Sequence, residues 1–353
     1  MSFLSINNVK IKGISVCVPK EIVKTQDYEL MSEEEIQKYI ASTGIEERHR
    51  AKEDQCTSDL CCIAAEKLIT ELAWQKEDID LLVFASHTGD YKLPSTSCTL
   101  QQRLGLSTTC MAFDINHGCS GYVYGLSIIS SLLSSGSIKR GLLLVGNTQS
   151  KNVSYYDQST YLIFGDAGSV TALEYDPEQF DSMNFQFMTD GSEFDSVYIP
   201  DGGYRYPITS ESFVMEDFEN GIKRNRTHLR MDGTDVFSFA NSYIPKSVKS
   251  LIEHYNIDIN QIDYFVMHQA NKFLCEKIRK KLKFDSEKTP YSFPKFGNTS
   301  GASIPLTMVY KMKETLANRK LNLLLTTIGG GFSIASAQIK TSGNIYCSDL
   351  LIG

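Results

Sequence analysis

The 353-residue sequence has nine cysteines but no CxxC pair among them. Cys17, Cys56, Cys61, Cys62, Cys98, Cys110, Cys119, Cys275 and Cys347 are scattered and odd in number, which excludes a disulfide framework. Most of them read as small buried hydrophobes. The N-terminus lacks a basic stretch followed by an apolar segment, and no run approaches the roughly 18 apolar residues of a membrane span. These absences point to a reduced, cytoplasmic chain with no membrane partner. Positive charge is not in excess either: 35 Lys and Arg against 42 Asp and Glu leave a net charge of −7. That excludes a globally basic nucleic-acid binder while leaving room for local basic patches. With only 9 prolines, 24 glycines and 42% hydrophobic residues, the composition also excludes collagen-like, disordered and coiled-coil chains. Neither a GxGxxG pattern nor a Walker lysine is found, so no nucleotide loop is indicated.

What is present is length enough for two domains or one large α/β unit, and internal similarity. Ile79-Asp80-Leu81-Leu82-Val83-Phe84-Ala85-Ser86-His87 resembles Ile262-Asp263-Tyr264-Phe265-Val266-Met267-His268 at an offset of 183. A helical run from Ser120 to Ser135, a turn with Lys139 and Arg140, and the strand Leu142 to Val145 match a second set: Ser300 to Ala317, Arg319 and Lys320, and Leu323 to Thr326, at offset 181. Short, continuous apolar runs suit strands buried on both faces. The expectation is a duplicated α/β fold with pseudo-symmetric halves, 1–175 and 176–353. Residues from about 180 to 230, with turn signals at Asp190-Gly191-Ser192 and Asp201-Gly202-Gly203, read as an inserted region.

Four motifs carry chemistry. In Asn116-His117-Gly118-Cys119-Ser120-Gly121, a strand feeds a Gly-flanked turn and then an apolar helix. Cys119 stands at that helix N-terminus, where unpaired N–H groups and the dipole are expected to lower a thiol pKa and make a nucleophile. In Val266-Met267-His268-Gln269-Ala270-Asn271, a histidine ends a buried strand, the edge that faces ligands in open α/β sheets. The small-residue loop Gly297-Asn298-Thr299-Ser300-Gly301 opens a helix, and Asn or Ser there also suits a plain cap. Gly329-Gly330-Gly331 follows a strand and offers bare N–H groups to an oxyanion.

In this order the motifs resemble the β-ketoacyl-acyl-carrier-protein synthase III family of the thiolase fold. The likeness runs from Ile11-Lys12-Gly13-Ile14 through Thr43-Gly44-Ile45-Glu46-Glu47-Arg48, Pro94-Ser95, Phe164-Gly165-Asp166-Ala167-Gly168 and Met231-Asp232-Gly233 to the triple glycine. It implies an α-β-α-β-α layered fold and a cytoplasmic acyltransferase of fatty acid biosynthesis that forms homodimers. Cys119 would carry an acyl group, the backbone N–H groups of Cys119 and Gly330 would form the oxyanion hole, and His268 with Asn298 would support decarboxylation of a malonyl thioester. No metal or redox cofactor is implied; acyl-CoA or acyl-carrier-protein and malonyl-carrier-protein are the substrates.

The implied partner, an acidic acyl carrier protein, needs a basic face. Lys272, Lys277, Lys280 and Lys281, on a helix after His268, and Arg224 in the insertion are candidates. Members that prime from acyl-CoA hold its adenine with a Trp and two Arg; the corresponding residues here are Lys38, Ser42 and Gln158, so a donor already on a carrier protein is an alternative. Leu93 stands where the family often has a Phe that walls the partner subunit's acyl pocket. The strand near Leu142 to Val145 is expected to pair across the dimer axis. Three other readings stay open: an acyltransferase of a specialised metabolite or surface-glycan pathway, a hydroxymethylglutaryl-CoA synthase-like enzyme using Asp90 as base, and a noncatalytic subunit. His117 has no assigned role.

Overall fold

Two sheets are built on the same plan in this computed structural model, which describes residues 1–179 and 181–353. In the first, Val9–Val18 pairs antiparallel with Ala167–Tyr175, which pairs antiparallel with Arg140–Asn147, which pairs parallel with Leu81–Ala85. In the second, Met183–Thr189, Ser333–Lys340, Asn322–Gly329 and Tyr264–Met267 follow in the same order with the same directions. Order and sense repeat element by element, so the fold is duplicated. Each sheet also takes a terminal strand from the far end of the chain: Ser2–Ile6 pairs with Met183–Thr189, and Tyr346–Cys347 and Leu351–Ile352 pair with Val9–Val18.

Side-chain alternation along the strands produces the layers. Leu143 and Val145 point into a core shared with Leu323 and Leu325, whereas Leu142 and Leu144 pack outward under the helix Thr57–Glu71, and Leu324 outward under Gly233–His254. Between the sheets lie the helices Gly121–Leu133 and Ser303–Asn318, each touching both. Outer helices cover the far faces, giving the α-β-α-β-α stack. Gly121–Leu133, buried between the sheets, carries no charge, whereas Ser303–Asn318 keeps Lys311, Lys313 and Glu314 toward its C-terminal end.

Three expectations change here. The matching of Leu142 to Leu323 is one residue out of register: Leu81 faces Gly141 while Tyr264 faces Leu323, so Leu142 corresponds to Leu324 at an offset of 182. A one-residue slip would have exchanged core and outer faces. The strand Arg140–Asn147 is interior, paired on both sides, so it has no free edge for a dimer axis; the open edge belongs to Met111–Ile115, paired only with Leu81–Ala85. Finally, the irregular region starts at Asp190, because Met183–Thr189 is a central strand.

Candidate active site

The two middle helices start against each other at the pseudo-twofold, and that meeting point makes the site. The turn Gly118-Cys119-Ser120 precedes one helix and Ser300-Gly301-Ala302 precedes the other. They approach so closely that a Cβ on Gly301 would lie 2.7 Å from the Gly118 carbonyl oxygen. Cys119 Sγ consequently lies 3.4 Å from Ser300 Oγ.

Each flanking strand end adds a histidine. His268 follows Tyr264–Met267, and its N–H continues the parallel ladder to the Thr326 carbonyl at 2.9 Å. Its Nδ1 lies 2.8 Å from Ser303 Oγ, which already accepts from the Gln269 N–H at 3.4 Å. The Ser303 hydroxyl proton is therefore available to Nδ1, which leaves the hydrogen of a neutral imidazole on Nε2. Burial pushes the His268 pKa down to about 4, opposed only by the Ser300 backbone, so the ring is neutral at pH 7. His87, after Leu81–Ala85, accepts from the Gly118 N–H through Nε2 at 3.1 Å.

Asn298 is fixed from both sides of its backbone and at its side-chain oxygen. Its N–H donates to the Ile163 carbonyl (2.9 Å), and its carbonyl accepts from Gly165 N–H (3.1 Å). Oδ1 accepts from Ser300 N–H at 2.9 Å, so the amide NH₂ is the end left for a ligand. Beside it, the buried Asp166 ties Ala51 N–H (2.8 Å) and Ser150 N–H (2.9 Å), which holds the loops that seat Asn298.

The triple-glycine turn lies on the Gly118-Cys119-Ser120 turn. A Cβ on Gly329 would stand 2.7 Å from Ser120 Oγ, so only glycine permits this approach, and Gly330 follows directly. His117 reaches Ser120 Oγ through Nδ1 at 3.0 Å, and Ser120 Oγ meets Ser333 Oγ at 2.7 Å. His117 therefore braces the turn that carries Cys119, its ring stacked on Tyr124.

One electrostatic expectation is overturned. Burial raises the Cys119 thiol pKa, while the Ser300 hydroxyl and the backbone N–H of Cys119 only oppose it. Desolvation of the anion outweighs those two hydrogen bonds.

Of the outlying candidates, Lys272, Lys277, Lys280 and Lys281 are exposed on the helix Lys272–Leu282, whose buried face is Leu274, Cys275, Ile278 and Leu282. Arg224 does not belong with them: its side chain is 15% exposed and pairs with the fully buried Asp157 at 3.0 Å, so it is committed inside the fold. Leu93 is 85% exposed. Lys38, paired with Glu34 at 2.7 Å, and Ser42 are exposed one turn apart on Glu33–Thr43, and Gln158 opens the short helix Gln158–Tyr161. Asp90 accepts from Ser58 Oγ at 2.8 Å. Among the described residues no group of three or more His, Cys, Asp or Glu could hold a metal, and no helix is long and apolar enough to cross a membrane. Sequence reasoning passed over Ser300, Ser303 and His87; the signal available for His87 was its place just beyond a strand whose repeat ends in His268.

A cysteine and a histidine placed where duplicated halves meet define a thiolase-like condensing enzyme of the acyltransferase type. The family models described as 3-oxoacyl-[acyl-carrier-protein (ACP)] synthase III and its C terminal match residues 113–191 and 252–341. The chain is 32% identical over 333 residues to "Beta-ketoacyl-[acyl-carrier-protein] synthase III" of Clostridium perfringens, covering 94% of this chain and 99% of that protein. It is 33% identical over 324 residues to "Beta-ketoacyl-[acyl-carrier-protein] synthase III 2" of Bacillus anthracis, covering 92% and 95%. The solved 3-oxoacyl-(acyl-carrier protein) synthase from Burkholderia xenovorans LB400 superposes with a TM-score of 0.93 at 34% identity, over 100% of this chain and 99% of that one. The chain belongs to the β-ketoacyl-acyl-carrier-protein synthase III family.

Proposed function

We propose that this enzyme catalyses the decarboxylative condensation of an acyl thioester with malonyl-acyl-carrier-protein in fatty acid biosynthesis. The observation that carries this reading is that one turn, Ser300 to Ser303, touches all three reacting side chains: Cys119 by the Ser300 hydroxyl, Asn298 by the Ser300 N–H and His268 by the Ser303 hydroxyl. Cys119 sulfur attacks the acyl thioester, the backbone N–H groups of Cys119 and Gly330 hold the tetrahedral oxyanion, and the donor thiol leaves. The malonyl thioester then places its carbonyl oxygen at His268 Nε2–H and the Asn298 amide. Loss of carbon dioxide moves charge onto that oxygen, where two neutral, preorganised donors stabilise the enolate. The enolate carbon attacks acyl-Cys119, the C–S bond breaks, and a 3-oxoacyl product two carbons longer leaves. None of these steps calls for a metal or redox cofactor.

The assignment extends to partners and organisation. The exposed Lys272, Lys277, Lys280 and Lys281 suit docking of an acidic carrier protein. Lys38, Ser42 and Gln158 offer no aromatic-arginine clamp for an adenine, which favours an acyl donor on a carrier protein. Halves 1–175 and 176–353 act as one unit, laced by their exchanged terminal strands. The enzyme works as a homodimer joined at Met111–Ile115, with Leu93 offered to the partner's acyl pocket. Nine free cysteines fit a cytoplasmic setting.

Intact-mass measurement after incubation with acyl donors tests the core of this reading. The expected result is a single acyl adduct that is lost in Cys119→Ser, while that variant still releases carbon dioxide from malonyl-carrier-protein. Full condensation by Cys119→Ala would overturn it.

A further inference from the structure

Ser300 occupies a backbone position that disfavours any side chain, with φ +52°, where glycine is the usual residue. Its hydroxyl is nevertheless aimed. Assigned from its hydrogen-bond partners, the buried Asn147 amide turns its NH₂ to the Gly146 carbonyl (2.7 Å) and its oxygen to the His87 N–H (3.1 Å), which puts the nitrogen 3.0 Å from Ser300 Oγ. Held at both ends, Asn147 donates to Ser300 Oγ, and the hydroxyl's own hydrogen is left for Cys119 Sγ at 3.4 Å.

We propose that the Ser300 hydroxyl is a catalytic donor that hydrogen-bonds the Cys119 sulfur as it becomes anionic, with Asn147 as the positioning residue that orients it. No bond is made or broken at Ser300: in acyl transfer the cysteine proton ends on the departing donor thiol, in alkylation it passes to solvent, and the serine proton stays on oxygen. The titratable side chains around the nucleophile are His117 on its own turn, His87 at the end of Leu81–Ala85 and His268 at the end of Tyr264–Met267. Burial biases all three toward the neutral imidazole. None supplies a cation, and the influences on Cys119 are desolvation, Ser300 and its own backbone. In a site without a positive charge, a neutral hydroxyl is the side-chain group that can offset desolvation of the thiolate.

This inference rests on the reading of Cys119 as nucleophile, and its test needs no acyl substrate. The rate of iodoacetamide alkylation of the Cys119 peptide is followed by mass spectrometry against pH for the wild type, Ser300→Ala and Ser300→Gly. Glycine suits φ +52°, so Ser300→Gly removes the hydroxyl with the least disturbance of the fold. The expected result is a rise of the alkylation midpoint by about one pH unit in both variants, a roughly tenfold loss of thiolate at fixed pH. Asn147→Ala should shift the midpoint the same way by less. Midpoints equal to wild type in Ser300→Ala and Ser300→Gly would overturn the proposal. A shifted midpoint in a protein that never forms an acyl adduct would instead uphold Ser300 and overturn the condensation reading.

Discussion

Replacing Asn298 by alanine removes one of the two neutral donors offered to the enolate while leaving the backbone bonds to Ile163 and Gly165 in place. The expected consequence is a loss of about 10²–10³-fold in malonyl decarboxylation, with acylation of Cys119 little changed. Measuring carbon dioxide release and acyl-adduct formation separately on Asn298→Ala checks it; equal losses in both would contradict the division of roles. The pH profile gives a second readout in the same assay. Because burial holds His268 near pKa 4, below the ordinary imidazole value, its proton count does not change between pH 5 and 8. Decarboxylation by Cys119→Ser should be flat over that range, and a midpoint near 6.5 would mean a solvated imidazole. At this scale the positions of Cys119, His268 and Asn298 were legible in the sequence, because each stands at a strand end or a helix start, and the structure brings them together around Ser300 and Ser303. Ser300 and Ser303 were not: their importance lies in contacts to residues 181 and 35 positions away. The sign of the Cys119 shift was misread for a related reason, since helix position is visible in a sequence and depth of burial at a join between halves is not.

Elements divide charges that a sequence run lumps together. The helix Lys272–Leu282 turns Arg279 inward, where it pairs with Glu276 at 2.7 Å and donates to the Phe284 carbonyl at 2.7 Å. Lys272, Lys277, Lys280 and Lys281 face solvent. Charge reversal in Lys280→Glu/Lys281→Glu is expected to raise the KM for malonyl-carrier-protein about tenfold, leave kcat nearly unchanged and weaken the salt dependence. Arg279 stays paired in that variant, so the helix is expected to stay folded despite loss of the Lys280–Glu276 pair and the Lys281 bond to the Asn241 carbonyl, and an unchanged KM would remove this helix from the docking face. Arg224 was misjudged because its partner Asp157 is 67 residues distant and fully buried. Pairing partners of strands are hidden in the same way: the apolar run Leu142 to Val145 announces burial, but only the assembled sheet shows that both of its edges are taken.

For the whole molecule, duplication explains why one site serves one chain: the two helix starts come together only once, at the pseudo-twofold, and the exchange of terminal strands locks the halves there. It also leaves Met111–Ile115 as an edge strand of the first sheet, with no counterpart among the described residues of the second. Met111–Ile115 has a neighbour only on one side, and beside it Leu4, Met111, Phe113, Ile128 and Leu132 line an apolar groove. An uncovered strand edge flanked by apolar side chains is a template for pairing, and an isologous contact between two copies would close it. Such a dimer would give the 85% exposed Leu93 somewhere to be buried. Met111→Lys/Phe113→Asp places charge on that edge; Met111 is 47% exposed, whereas Phe113 is half-buried against the shared core, so the fold of the variant is checked alongside its assembly. The wild type is expected to sediment as a dimer and the double variant as a monomer that keeps its helical signal by circular dichroism but acylates Cys119 at least about tenfold more slowly, because each acyl pocket then lacks the wall supplied by its partner. A dimeric double variant would move the interface elsewhere, and a monomeric variant with full acylation would show that Leu93 does not complete the partner's pocket.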